Sequence, residues 1–166
     1  MQNILFQGRH YPIEINHHHL KRSNVEVHDD KLIFNICYDL SINQQREQVK
    51  ILIDKLYSSY TKEVVKKGLN QHRSIQPRPI AKVRLKKLRS RWGSASENNN
   101  LNFNLHLSKL PPACQSYIVA HEYAHLFEMN HSKAFWNKVA EFDPNYRENR
   151  RQLRHFEKTV LRNHQF

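Results

Sequence analysis

Apolar positions along the chain follow two periods, and the changes between them mark out its elements. Short strand-like runs come first. Residues 4–6 and 11–15 flank Gly8-Arg9-His10, and residues 25–27 and 31–36 flank Asp29-Asp30, which predicts two strand pairs. The period then lengthens. Val49, Ile53, Leu56, Tyr60 and Val64 stand three or four residues apart behind Ser41, whose side chain suits the free first-turn amides, so a helix is expected over 42–67. Gly68 is expected to end it, because glycine takes the left-handed conformation after a helix without strain. Residues 70–79, with Pro77 and Pro79, read as a connector.

Strands are expected again at 80–89 and 91–96, followed by a polar turn at 97–100. Residues 101–107 alternate apolar and polar without a break, the pattern of a strand with one buried face. Pro111-Pro112 is expected to open a long helix reaching about Met129, since proline is tolerated where the first amides lack partners. Ser132 caps a short helix through Val139, and Asp143-Pro144 opens a last one toward the C-terminus. No internal repeat is present. Strands, helix, strands and helices in that order predict an α+β fold. Residues 1–79 would form an N-terminal strand-and-helix region and 80–166 a metal-binding core, together one compact unit.

Length and composition narrow the function classes. A chain of 166 residues suits one domain, and a hydrophobic fraction of 39% is modest but enough for a core. Lys and Arg number 27 against 15 Asp and Glu, and a net charge of +12 favours nucleic acid, nucleotides, acidic protein segments or anionic lipid. The two cysteines, Cys37 and Cys114, have no C-x-x-C partner, which argues against a disulfide framework or a cysteine-rich zinc knuckle. No signal-like start and no apolar stretch near the roughly 20 residues that span a bilayer are visible. The expected setting is cytoplasmic, with no membrane partner.

The chemistry concentrates in His121-Glu122-Tyr123-Ala124-His125. Two histidines four apart on a helix share a face, because four residues turn about 400°. That arrangement lets two imidazoles bind one zinc ion, with Glu122 directed at a water in an open coordination position. His131 follows His125 by six residues, and a continuous helix would carry it off that face. A turn between Met129 and His131, at Asn130, would bring it back as a third ligand. Glu128, seven residues after His121, competes as a ligand, though a supporting or surface role is preferred.

With these motifs stand Arg91-Trp92-Gly93-Ser94-Ala95-Ser96, Leu101-Asn102-Phe103-Asn104, Asn130-His131-Ser132 and Phe135-Trp136. Together they resemble the YgjP-like metallopeptidase family, a relative at a distance of SprT-like and other zincin domains. The resemblance is good over 80–154 and looser before it. It implies a zincin-like core, zinc bound by His121, His125 and His131, and Glu122 as the catalytic acid and base. Ala95 stands where the family often has cysteine, and the chain is expected to begin late, without part of a basic N-terminal hairpin.

Four further residues are candidates for substrate binding. Arg91 would hold a substrate carboxylate or phosphate or else cover Trp92, which would wall the cleft or lie in the core. Arg84 and Lys86 share one strand face with Lys82, a basic strip able to recruit an anion or simply a solvated face. Residues 101–107 are a candidate edge strand for extended substrate. His17-His18-His19 reads as a polar loop and His106 as exposed. The function expected is a zinc-dependent hydrolase of peptide bonds. The alternatives are a zinc-dependent nucleotide phosphoanhydride hydrolase and a nucleic-acid-binding module with a structural zinc.

Overall fold

A computed structural model describes residues 3–19 and 21–159. Strands β1 (Asn3–Phe6) and β2 (Arg9–His18) form an antiparallel hairpin, as do β3 (Asn24–Val27) and β4 (Leu32–Cys37). β2 runs parallel to β4, so one sheet has the order β1-β2-β4-β3. The first reversal is at Gln7-Gly8, one residue earlier than expected, because these two hold positive φ of 49° and 82°. The Gln7 and Gly8 amides donate to the carbonyls of Ser108 and Lys109 at 2.8 and 2.9 Å, tying the hairpin to the second half of the chain. β2 also runs further than expected, so His17 and His18 are in a strand and not in a loop. The His17 ring nitrogen lies 2.9 Å from Gln45 Oε1.

Helix α1 spans Ile42–Ile75. Ser41 begins it reciprocally: its hydroxyl accepts from the Gln44 amide at 3.4 Å, and its own amide donates to the Gln44 side chain at 2.9 Å. The helix does not stop at Gly68. It continues into the expected connector, because Gly68 faces helix α2 (Pro112–Ala124), where a Cβ would stand 2.8 Å from Val119 Cγ1. The glycine serves a close helix–helix approach, and no cap is needed there.

The remaining elements are β5 (Lys82–Lys86), β6 (Gly93–Ala95), β7 (Asn100–Asn104), a 3-10 turn at Leu107–Lys109, α3 (Lys133–Phe142) and α4 (Tyr146–Thr159). The second sheet has the order β5-β7-β6, with β7 parallel to β5 and antiparallel to β6. β7 ends at Asn104, short of the expected 107. The Asn104 amide group donates to the carbonyls of Leu88 and Arg91 at 2.8 and 3.0 Å, and its oxygen accepts from the His106 amide at 3.1 Å, which turns the chain. His106 is half-buried against the Tyr57 ring rather than exposed, and burial lowers its pKa to about 4.

α1 joins two apolar cores. Leu52, Leu56 and Tyr57 pack with Phe6, Tyr11, Leu32, Phe34 and Ile36 of the first sheet. About two and three turns beyond Tyr57, Val65 and Leu69 pack with Val119, Phe135, Leu153 and the rest of the second core. The architecture is therefore α+β, with N-terminal strands, one long helix, a small second sheet and the helices that follow.

The second core contains a titratable group. His72 is buried between the rings of Tyr123 and Phe142 at 5.6 and 5.2 Å, neither ring nitrogen has a partner, and burial lowers its pKa to about 4. The unfolded chain takes up that proton near pH 6.5 while the folded chain refuses it, so stability falls as pH drops from about 6.5 toward 4. The His72 contribution to that loss is on the order of 2 kcal/mol at pH 5. His72→Leu should flatten the dependence of the urea midpoint between pH 7.5 and 5. An unchanged slope would remove His72 as a source.

Candidate metal centre

α2 is apolar on nearly every side and mostly buried, while His121 and His125 share one half-buried face. The helix ends at Ala124, not at Met129. His125 follows it, still in helical conformation, and the amides of Leu126, Phe127 and Glu128 close a tight turn on the carbonyls of Tyr123 and Ala124. Asn130 does not take the left-handed conformation expected of it. Among the described residues only Gln7, Gly8 and Asn99 have positive φ. The reversal is spread over the turn after Ala124 instead, and Ser132 begins α3 by accepting from the Phe135 amide at 3.3 Å.

This path returns His131 to His121, with their Nε2 atoms 3.2 Å apart. The three imidazoles of His121, His125 and His131 offer nitrogens within 4.8 Å of one another, and their ring centroids are 5.0, 5.1 and 4.9 Å apart. Such a triangle could hold one metal ion. His125 Nδ1 donates to the Glu128 carbonyl at 3.1 Å, leaving Nε2 with its lone pair. Glu128 thus supports a histidine through its backbone, while its carboxylate is exposed. Tyr117 OH lies 3.4 Å from His121 Nδ1. Burial pushes the pKa of His121 down to about 3, helped by His125, His131 and Arg150, and burial lowers that of His125 as well. Both rings are therefore neutral near pH 7, the form that donates to a metal.

Glu122, the residue after His121, lies against β6. A Cβ on Gly93 would come within 2.6 Å of Glu122 Cγ and Oε1, so only glycine there leaves room for the carboxylate. Glu122 is 5% exposed and its Oε2 has no hydrogen-bond partner. Burial raises its pKa to about 8, against the pull of the Arg91 guanidinium. A buried, unpartnered carboxyl is costly and fits a site that receives a cation and a polar ligand. Gly93→Ala should displace it, destabilising the fold by about 1–3 kcal/mol and cutting turnover by roughly tenfold to a hundredfold. Melting curves and kcat test this, and parent-like values for both would show that the carboxylate tolerates the methyl group.

The family model for the YgjP-like metallopeptidase domain matches residues 1–156. The chain belongs to the YgjP-like metallopeptidase family. Its class of chemistry is that of a metal-dependent peptidase. A search among curated proteins gave no match. Among solved structures, the crystal structure of the metallopeptidase zymogen of Pyrococcus abyssi abylysin is similar, with TM-score 0.48 and 19% identity, covering 61% of this chain and 95% of that one. No described helix is long and apolar enough to cross a membrane.

In this YgjP-like chain the other candidate residues fare differently. Trp92 is a core residue, its indole N–H donating to Glu157 at 2.8 Å. Arg91 is exposed and acts electrostatically on Glu122. Arg84 and Lys86 are exposed on β5, with β7 between them and β6, and are not brought to the histidines. β7, expected as an edge, is the central strand, bonded on both sides, so the edge beside Glu122 is β6. In the sequence Phe135 stood only as part of the family resemblance, with no role given to it. Its fully buried ring lies 5.0, 4.5 and 4.7 Å from the rings of His121, His125 and His131, a floor that holds all three. Its four-residue distance from His131 was the available signal.

Proposed function

We propose that this chain is a zinc peptidase in which His121, His125 and His131 hold the ion and Glu122 handles the proton. The observation that carries the reading is three convergent imidazoles beside a buried, unpartnered carboxyl. Three neutral imidazoles suit zinc, and a set of three leaves a position open, whereas structural zinc sites close with a fourth Cys or His. When bound, zinc supplies Lewis acidity and lowers the pKa of a water beside it toward neutrality.

The rest of the chemistry belongs to the chain. Burial alone keeps the Glu122 carboxyl neutral, and beside a dication held by the three histidines its pKa would be drawn back down. The carboxylate, positioned by the Gly93 backbone, would then take a proton at Oε2 from the water whose oxygen bonds to the scissile carbonyl carbon, and return it to the amine as the C–N bond breaks. The free edge of β6 is suited to pair with an extended peptide, and Arg91 at its start tunes the carboxylate. The described cysteines are both free, in keeping with a reducing, cytoplasmic setting. The test is zinc-loaded protein incubated with peptides, casein and nucleoside triphosphates. Peptide cleavage that depends on Glu122 supports the reading, and hydrolysis of the nucleotides alone would replace it with phosphoanhydride chemistry.

A further inference from the structure

The densest positive charge beside the metal centre lies on α4, not on the β5 strip. Arg147, Arg150 and Arg154 recur at helical spacing along one side of the helix, flanking the stripe of the buried Leu153 and Phe156. With Lys133, Trp136 and Tyr146 they line a groove of about 930 Å³ between α3 and α4, and its described lining includes no carboxylate. Trp136 joins the groove to the site, its ring 5.8 Å from that of His131 and 5.9 Å from that of His121.

The aromatic surface here is already engaged. Tyr146 stacks on Trp136 at 5.7 Å and 17°, His131 lies nearly parallel to Trp136 at 29°, and the Arg150 guanidinium lies 4.5 Å over the Trp136 ring. Arg147 sits 5.6 Å over Tyr146 and donates to its hydroxyl at 3.2 Å. The rings thus hold guanidinium groups in place rather than stand open to a stacked base, which disfavours single-stranded nucleic acid. Guanidiniums held this way present planar pairs of donors suited to carboxylates.

We propose that the α3–α4 groove binds acidic stretches of the peptide substrate and so directs the metal centre to acidic peptides, an inference that rests on the peptidase reading above. Binding and cleavage are separable in the test. Fluorescence anisotropy on the zinc-loaded Glu122→Gln chain would compare a Glu- and Asp-rich peptide, its Gln and Asn counterpart, and a single-stranded oligonucleotide of equal charge. At low salt the acidic peptide should bind about tenfold more tightly than its neutral counterpart, as several partly screened charge pairs would allow. That advantage should shrink as salt rises.

Arg150→Gln with Arg154→Gln should remove the preference while zinc content stays constant. Lys133→Gln with Arg154→Gln, both exposed and off the Trp136 ring, repeats the test without touching that stack. Equal binding of the two peptides, or tighter binding of the oligonucleotide, would overturn the proposal. Acidic-peptide binding without cleavage by the parent chain would support the groove and count against the peptidase reading. Cleavage indifferent to charge would do the reverse.

Discussion

Glu122→Gln should lower peptide turnover by about 100- to 10,000-fold, the usual share of a positioned proton-transfer group, while zinc content and the melting curve stay close to those of the parent. Glutamine keeps the shape of the side chain and removes its ability to take up and return a proton. The substitution should be mild for folding, because burial already favours the neutral carboxyl, with a pKa raised to about 8. The amide also fits the space that Gly93 leaves. Metal analysis, thermal unfolding and turnover on the same preparation separate the roles. Parent-like turnover would eliminate Glu122 as the proton carrier, and loss of zinc would make it a ligand instead.

His121→Ala and His131→Ala should each weaken zinc binding by at least about 100-fold, since roughly 10 kcal/mol of binding is divided among three or four ligands. Glu128→Ala should change affinity little. The Glu128 contribution is its carbonyl at 3.1 Å from His125 Nδ1, which alanine retains, while its carboxylate is exposed. Titration against a competing chelator measures all three. Full affinity in His131→Ala with loss in Glu128→Ala would exchange their roles. His131 is the sharper case, because it is exposed and its removal should leave the core intact.

Much of the fold could be read without coordinates. The strand pairs, Ser41 at the start of α1, Ser132 at the start of α3 and the α+β order depend on neighbours within a few residues, and local pattern records those directly. Element ends were less legible. Gly68 looks like a helix terminator until Val119, 51 positions later, is seen to occupy the space its missing side chain leaves. Asn130 looks like the left-handed hinge before His131, yet the turn closes earlier through the carbonyls of Tyr123 and Ala124.

The same division holds at the site. His121 and His125 share a helical face by the geometry of one turn, so their pairing was written in their spacing alone. The approach of His131 to His121, the Phe135 floor and the contact of Gly93 with Glu122 arise where separate elements pack. Arg147, Arg150 and Arg154 drew no notice in the sequence, because nothing local says that they line a groove with Trp136 beside the metal centre. Likewise, residues 101–107 displayed a strand without revealing that both its sides are taken. The sequence by itself determined the elements and the histidine pair, because periodicity and capping act over one or two turns. Only the tertiary structure decided which strand is the free edge, which arginines border the cleft and which carboxyl is buried, because those depend on surfaces that meet after the chain has folded.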